Sequence, residues 1–504
     1  MIDRRAAAVF AISCTHVWAL AGPVLAQAAP TSGVAAPEST PTPASVASTV
    51  PDALEPLLRA EVARPGGLLA DEAARRAAAS SREARARGAD AEAALADTDR
   101  ANLGWVPRAT LTARYTRLSD VTQGSFGPAN GSLVATSDPP GPLAPGAPLI
   151  GVAGSDLSFP VVLDQGLAQA GLIVPISDYF LRVPQSRDAA EHAREAANLG
   201  AQAARRVAAA QARLAYYAWA RAKLQRIVTR QAIEQARQHL ALVDAARDGG
   251  RANPADVLRA QSALANTELL DERAQNATRL GEARLRTLMH DTRGVSFEIG
   301  EDLFVPADRA PTGEMAQLLD AARRLRPELA AIEASGASVD EQRDAAHAGE
   351  WPRFDAFANG YLANPSPRVF PQEAKWRATW DVGLQLTWSP NDFAGASPQA
   401  RALDAKRARL AAERDAFMDA VGDEVTAAVL AMREAEAAVS PAERGLAAAE
   451  EAYRVRKELY ALGRGTSVEL LDAESNVLRA RLETIQARIE ARVARVRLAH
   501  AVGW

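Results

Sequence analysis

One short motif occurs twice in this chain of 504 residues, and it predicts two helical hairpins. The copies begin at Gly250 and Gly463, where glycine can adopt the left-handed backbone that ends a helix. Each glycine is followed by an N-cap residue and then by an acidic residue in capping-box spacing. The cap and acid pairs are Asn253 with Asp256 and Thr466 with Glu469. Two matching copies indicate that the chain is built from two structural repeats.

Long segments rich in alanine, arginine, glutamate and leucine surround both copies of the motif. The predicted long helices span about 184–247, 254–289, 397–462 and 467–502. At about 1.5 Å per residue, the first of them would be roughly 95 Å long. We therefore expect one helical hairpin at 184–290 and a second at 397–502. Each repeat opens with a further helical segment, at about 68–103 and 314–348.

Four short segments alternate apolar and polar residues, which is typical of strands with one apolar face. They span about 107–118, 166–176, 353–362 and 378–388. The last segment carries Trp380 and Trp388 at its two ends, and the first carries Tyr115. Nine strand residues cover about 27 Å, close to the apolar band of a transmembrane strand, and aromatic residues flank such bands. We interpret Tyr115, Trp380 and Trp388 as membrane-interface aromatics.

The segments define the predicted domain organisation. The first repeat spans 68–290, a connector spans 291–313, and the second repeat spans 314–504. Residues 119–165 form a long loop rich in glycine and proline, which we expect to be exposed and functional. Residues 27–67 are rich in alanine, proline, serine and threonine, and we expect a flexible or loosely docked arm there.

A secretory signal peptide is predicted at 1–26. A positively charged start precedes an apolar run and small residues suited to cleavage. The only cysteine, Cys14, lies within that run and lacks the surroundings of a lipid attachment site. Without disulfides, we expect the exported chain to be stabilised by packing or by subunit assembly.

The last predicted helix carries two apolar seams with heptad spacing. The first seam consists of Val468, Leu471, Ser475, Leu478, Leu482, Ile485, Ile489, Val496 and Ala499, and Arg492 interrupts it. The second consists of Leu470, Ala473, Val477, Ala480, Thr484, Ala487, Ala491, Ala494 and Leu498. Seams on two flanks predict two neighbours, as in the wall of a closed ring of helices. Four strands are too few to close a transmembrane barrel, so we also expect them to be shared with other copies of the chain.

From about Leu68 to Leu498, the chain resembles the TolC family of outer-membrane efflux proteins. The resemblance rests on the twofold helix, strand, strand and hairpin plan and on the segments 171–176 (GLIVPI) and 463–473 (GRGTSVELLDA). It implies a mainly α-helical homotrimer with a 12-stranded β-barrel in the outer membrane of a Gram-negative bacterium and a periplasmic α-helical barrel. It also implies outer-membrane lipid, a periplasmic adaptor and an inner-membrane pump as partners.

The resemblance assigns roles to residues at the two hairpin tips. Residues implied to contact the adaptor are Gly250, Arg251, Asn253, Gly463, Arg464, Gly465 and Thr466. Glu469 and Asp472 match an acidic ring that narrows the aperture, and Asp256 is the first-repeat equivalent of Glu469. Arg259 stands at the position that repeats Asp472. The residues alone give Glu469 a capping role, whereas Asp472 lies beyond the reach of the cap.

These features favour a passive channel in a tripartite efflux or secretion system. The alternative is a periplasmic adaptor or coiled-coil scaffold without a membrane-spanning barrel, although such adaptors usually carry one hairpin within β-rich domains. An enzyme is the weakest interpretation, because nucleophile, phosphate-binding and metal-ligand motifs are missing from the sequence. The scattered histidines, predicted to be polar surface or seam residues, are His192, His239, His290, His347 and His500. We expect no catalytic residue, metal or cofactor, and a net charge of −4 does not suggest nucleic-acid binding.

Overall fold

A computed structural model of the chain describes residues 54–120, 133–135, 150–152, 161–305 and 313–504. Its α-helices are α1 (Leu54–Glu61), α2 (Ala70–Ser80), α3 (Arg82–Asn102), α4 (Asp178–Leu181), α5 (Val183–Asp248), α6 (Pro254–Met289), α7 (Met315–Leu325), α8 (Pro327–His347), α9 (Pro390–Ala461) and α10 (Ser467–Val502). Its strands are β1 (Arg108–Arg117), β2 (Leu133–Ala135), β3 (Ile150–Val152), β4 (Asp164–Val174), β5 (Arg353–Asn364) and β6 (Arg377–Thr387). Short 3-10 turns lie at Leu103–Trp105 and Ala348–Glu350.

The four long strands form one antiparallel sheet with the order β1-β4-β5-β6. One row of paired positions runs through Leu111, Ala170, Gly360 and Trp380. The adjacent row runs through Thr112, Gln169, Tyr361 and Thr379. Since successive side chains point to opposite faces of a strand, the sheet has one apolar and one largely polar face.

The helix α9 begins earlier than predicted. Its N-cap is Ser389, whose hydroxyl accepts a hydrogen bond from the backbone N–H of Asp392 at 3.4 Å, and Pro390 occupies the first turn. The sequence predicts a start near 397, just before Pro398. The helix instead continues through both Pro398 and Pro441.

The two shorter helical segments are each divided in two. Ser81 separates α2 from α3, and its hydroxyl caps α3 by accepting from the N–H of Ala84 at 3.2 Å. Arg326 separates α7 from α8 with an extended backbone, the conformation favoured before a proline, and Pro327 then starts α8. Both breaks therefore have local causes.

Of the two alternatives for the arm, residues 54–67 follow the docked one. Leu54 and Leu58 of α1 are buried, as is Val62. The backbone then pairs with the connector, since the N–H of Leu68 donates to Glu298 O at 2.8 Å and the N–H of Gly300 donates to Leu68 O at 2.9 Å. Apolar residues spaced by one helical turn bind this segment to the core. Residues 27–53, the predicted signal peptide and Cys14 lie outside the described residues.

The predicted loop 119–165 is not entirely without regular structure. Strands β2 and β3 within it pair antiparallel, with Leu133 opposite Val152. Strand β4 begins at Asp164, at the end of the predicted loop. The remainder of the loop, at 121–132, 136–149 and 153–160, lies outside the described residues.

The two seams of α10 are confirmed. Residues of the first seam, such as Ile485 and Ile489, lie in a buried cluster with Tyr216, Trp219 and Leu224 of α5. Residues of the second seam lie in another cluster with α9: Ala491, Ala494 and Leu498 with Val421, Val425, Val429 and Met432. Both neighbours of α10 therefore belong to the same chain. The two neighbours predicted for α10 are thus α5 and α9, and the seams alone do not require a second copy.

Arg492 interrupts the first seam because it binds the connector. Its guanidinium is 5% exposed and lies 3.0 Å from Glu301 Oε1. It also donates to three backbone carbonyl groups of the connector, those of Asp302, Leu303 and Val305, at 2.7 to 3.0 Å. Tyr217 of α5 donates to the same carboxylate at 3.1 Å, and burial followed by the charge of Glu301 raises the pKa of the Tyr217 phenol. One arginine thus joins the last helix to the connector.

Among the described helices, none is both long and apolar enough to cross a lipid bilayer.

We predict that Arg492→Met lowers stability far more than a change at an exposed arginine of the same helix. Removing one partner of a buried pair costs about 3–5 kcal/mol, because Glu301 and the carbonyl groups lose their donor. Arg497→Met is the matched control, since Arg497 pairs with Glu490 on the surface and such pairs contribute about 0–1 kcal/mol. Thermal unfolding followed by circular dichroism at equal protein concentration measures both. Equal melting temperatures for the two variants would contradict the anchoring role.

Candidate functional site at the hairpin tips

The two hairpin turns have the same backbone geometry. Gly250 and Gly463 have φ angles of 70° and 69°, in the left-handed region. In the first turn, the N–H of Gly250 donates to Arg247 O at 2.9 Å and the N–H of Arg251 donates to Ala246 O at 2.8 Å. In the second turn, Gly463 donates to Tyr460 O at 2.9 Å and Arg464 to Leu459 O at 2.8 Å. Both are Schellman motifs, in which glycine avoids the steric cost of a positive φ.

Both capping boxes predicted from the sequence are confirmed. The Asn253 side chain accepts from the N–H of Asp256 at 2.9 Å, and the Asp256 carboxylate accepts from the N–H of Asn253 at 3.2 Å. Thr466 and Glu469 make the equivalent pair of bonds at 3.2 and 3.4 Å. Each box satisfies donors at a helix N-terminus that otherwise lack partners, so it fixes where the return helix starts.

The three acidic residues assigned to the aperture have different surroundings. Asp256 is 16% exposed at its side chain and lies 3.3 Å from Arg259. Glu469 lies 3.2 Å from Arg456 of α9. Asp472 is exposed and has no ion pair within the described part of the chain. Of the three carboxylates, Asp472 is therefore the one whose charge is not offset by an adjacent arginine.

A groove of about 580 Å³ lies beside Asp472, between α5, α6 and α10. Arg259 lines this groove together with Asp472 and Glu474. Apolar contacts come from Leu270 of α6 and from Leu471 and Leu478 of α10. The groove thus combines an apolar floor with charges of both signs.

The remaining tip residues lie at the surface of the turns. Arg251 and Arg464 are exposed, and neither appears in an ion pair among the residues described. A Cβ at Gly465 would lie 3.2 Å from the backbone nitrogen of Tyr460, so glycine permits the close return of the chain. The two turns present basic side chains next to the acidic residues of the caps.

A buried contact between the two hairpins was missed by sequence reasoning. His239 of α5 is 2% exposed, and its Nε2 lies 3.3 Å from Ser467 Oγ of α10. Its Nδ1 lies 3.3 Å from Glu474 Oε1, and its ring stacks on Tyr460 of α9 at a centroid distance of 6.3 Å. Burial, and then the charge of Asp256, raises the pKa of Tyr460. These residues belong to different repeats, so no local pattern could identify the contact.

The predicted interface aromatics lie on or next to the sheet. Trp380 and Tyr115 project from its apolar face and are largely exposed, and Trp388 follows the end of β6. The hydroxyl of Tyr115 donates to Asp164 Oδ1 at 2.7 Å, at the end of the sheet remote from the helices. No group of His, Cys, Asp and Glu side chains suited to a metal ion occurs among the described residues.

Solved structures with this fold are outer-membrane channels. The CmeC outer membrane channel of Campylobacter jejuni has a TM-score of 0.69 and 13% identity, covering 86% of this chain and 85% of CmeC. The VceC outer membrane protein of Vibrio cholerae has a TM-score of 0.66 and 16% identity, covering 86% and 96%. The open state of the Neisseria gonorrhoeae MtrE outer membrane channel has a TM-score of 0.67 and 16% identity, covering 86% and 88%. This chain therefore shares the fold of these outer membrane proteins.

A family model matches the C-terminal part of the chain. Residues 318–504 match the model of the family described as outer membrane efflux protein. The match covers nearly the whole predicted second repeat, 314–504, and confirms the resemblance recognised in the sequence. A search of curated proteins gives no match.

We predict that Thr466→Ala loosens the start of α10. Loss of an N-cap side chain costs about 1 kcal/mol, because donors of the first turn lose their acceptor. Amide hydrogen exchange over the first turn of α10 should accelerate roughly fivefold as a result. Ser475→Ala is the control, since the Ser475 hydroxyl donates only to Leu471 O within the same helix. Equal exchange rates in the two variants would show that the cap does not hold the turn.

Proposed function

We propose that this protein is the outer-membrane channel of a tripartite efflux system in a Gram-negative bacterium. In this proposal it acts as a passive conduit. A periplasmic adaptor contacts the hairpin tips, and an inner-membrane pump supplies the energy. The observation that carries the proposal is the exposed apolar face of the sheet, in a chain whose residues 318–504 match the outer membrane efflux protein family.

The apolar face extends across all four long strands. Its members are Leu111, Ala113, Ala168, Ala170, Leu172, Ala356, Ala358, Leu362, Trp380, Val382 and Leu384. Leu111 is 88% exposed, and Val382 and Leu384 are each 65% exposed. A continuous apolar surface of this kind is unfavourable in water and favourable in lipid.

The opposite face of the sheet is suited to an aqueous pore. Asn359 donates to Asp381 at 2.9 Å, and Arg368 from the following loop pairs with the same carboxylate. The Arg368 guanidinium also lies over the Tyr361 ring, 4.9 Å from its centroid. These polar groups satisfy one another on the face that lipid would not reach.

The edges of the sheet support assembly from several copies. Strands β1 and β6 are the two ends of the strand order, so each has one edge without a strand partner in the described chain. Open edges are not tolerated in lipid, where backbone groups have no water. In the proposed homotrimer, β1 of one copy pairs with β6 of the next, and three sheets close a 12-stranded barrel. The long helices continue as a periplasmic α-helical barrel.

The aperture in this proposal lies at the hairpin tips. Asp472 contributes most of the negative charge there, because Arg259 and Arg456 partly offset Asp256 and Glu469. A ring of like carboxylates attracts cations into a narrow pore. The adaptor would contact the turns around Arg251 and Arg464.

We predict that Leu111→Arg reduces insertion into the outer membrane. An arginine facing lipid costs about 2–4 kcal/mol near the centre of the bilayer. Thr112→Arg is the matched control, since it adds the same side chain at the next residue but on the polar face. The amount of detergent-extracted, heat-resistant trimer in outer-membrane fractions measures both. A water-soluble wild-type chain, or equal loss in both variants, would contradict the proposed membrane face.

We also predict different effects of two acidic residues on block of bilayer conductance by multivalent cations. Asp472→Asn should weaken the block by about tenfold or more, because an unpaired carboxylate of each subunit is removed. Glu469→Gln should have a smaller effect, since Arg456 already offsets this charge. The double variant should resemble Asp472→Asn. If the double variant is blocked as strongly as the wild type, neither Asp472 nor Glu469 lines the pore.

A further inference from the structure

Three salt bridges between α9 and α10 recur at a regular spacing, which does not continue to the turn of the second hairpin. Glu436, Glu443 and Glu450 of α9 pair with Arg495, Arg488 and Arg481 of α10, at 2.6, 2.7 and 3.2 Å. Successive pairs are seven residues apart on each helix. This row of three salt bridges, the ladder, joins the two helices of the second hairpin. If this spacing continued for one more heptad towards the turn, Lys457 of α9 would lie opposite Glu474 of α10.

Glu474 does not pair with Lys457 in the structure. Lys457 is exposed, and its ammonium group lies 5.8 Å from the centroid of the Tyr453 ring. The carboxylate of Glu474 instead lies 3.3 Å from Nδ1 of His239 and is only 13% exposed. The carboxylate of Glu474 therefore points away from α9, the other helix of its own hairpin, and towards α5 of the first hairpin.

The His239 ring lies among groups from α9 and α10. The ring is buried, and Nδ1 makes no well-aligned hydrogen bond although Glu474 Oε1 is within ion-pair distance. From α10 the ring faces Glu474 and Ser467, and from α9 it faces Tyr460. On the α6 side, Val257 and Ala260 pack near Val243, and Arg259 lines the groove that Asp472, Glu474 and Arg479 also line. The charges of Asp256 and Arg251 act on Tyr460.

We propose that His239 and Glu474 form a proton-dependent latch that holds the two hairpins of each chain together at the tip. When the imidazole carries a proton, it offsets a carboxylate that is otherwise buried without a cation. When the imidazole is neutral, that carboxylate loses its counter-charge and the hairpins separate more readily. Since histidine changes its charge between about pH 5 and pH 8, the latch is strongest at the acidic end of that range. This inference rests on the proposed channel function, because separation of the tips opens the aperture.

The test uses the full-length protein in planar bilayers at about pH 5.5 and about pH 8. The open probability of the wild type should be about tenfold higher at the higher pH, the ratio that one charge-assisted contact can produce. His239→Gln and Glu474→Gln should each be open at both pH values, and the double variant should add little, because both changes remove one interaction. If one of the two single variants fails to assemble, the open probability of the other at the two pH values still tests the latch.

The matched control is His347→Gln. His347 also pairs with a carboxylate, since its Nδ1 lies 2.9 Å from Glu350 Oε1, but this pair is exposed and lies far along the chain from the tips. The control should keep the pH dependence of the wild type. Conducting channels in which His239→Gln keeps that dependence would overturn the latch and leave the channel function intact.

A second measurement does not need conductance. Spin labels on Arg251→Cys and Arg464→Cys report the separation of the two turns in detergent, since Cys14, the only native cysteine, lies in the predicted signal peptide. A population with longer separations should grow from about pH 5.5 to about pH 8, and it should be present at both pH values in His239→Gln. If no form conducts, the channel function fails and these distances still decide the latch. Equal distance distributions at both pH values, in the wild type and in His239→Gln, would overturn the latch.

Discussion

The structure depends on the packing of α10 against two helices at once. One flank buries Ile485 and Ile489 against the aromatic residues of α5, and the other buries Ala494 and Leu498 against α9. Because α5 belongs to the first repeat and α9 to the second, this single helix joins the two hairpins into one array. The alanine-rich flank permits close approach to α9, while the larger residues of the other flank fill the space beside Tyr216 and Trp219.

This packing sets the conditions for function. It fixes the two turns side by side, so that the capping boxes, the exposed Asp472 and the contact of His239 with Glu474 occupy one end of the molecule. The sheet occupies the other end and presents an apolar face that water does not favour. A conduit needs both features, namely a membrane-facing surface at one end and a closable opening at the other.

Much of the fold follows from local sequence. The glycines and caps at 250–256 and 463–469 specify their turns with side chains only a few residues apart, and the strands follow from strict alternation. The break at Pro327 and the early start of α9 depend on competition between local preferences, and the packing of α1 requires knowledge of what lies opposite Leu54 and Leu58. Long-range polar contacts are hardest to predict. Nothing in the residues around Arg492 or His239 specifies Glu301 or Glu474, since these partners lie far away in the chain.

The attachment of the connector has a mechanical consequence. Arg492 attaches the connector to α10, and the connector pairs in turn with the backbone of Leu68. From Arg492 to Ser467 the helix extends about 37 Å. A tilt of about 10° at this attachment would displace the end of such a rigid helix by about 6 Å, comparable to its pitch. A small rotation where one arginine holds the connector would therefore be sufficient for a large movement of the hairpin turn at Ser467.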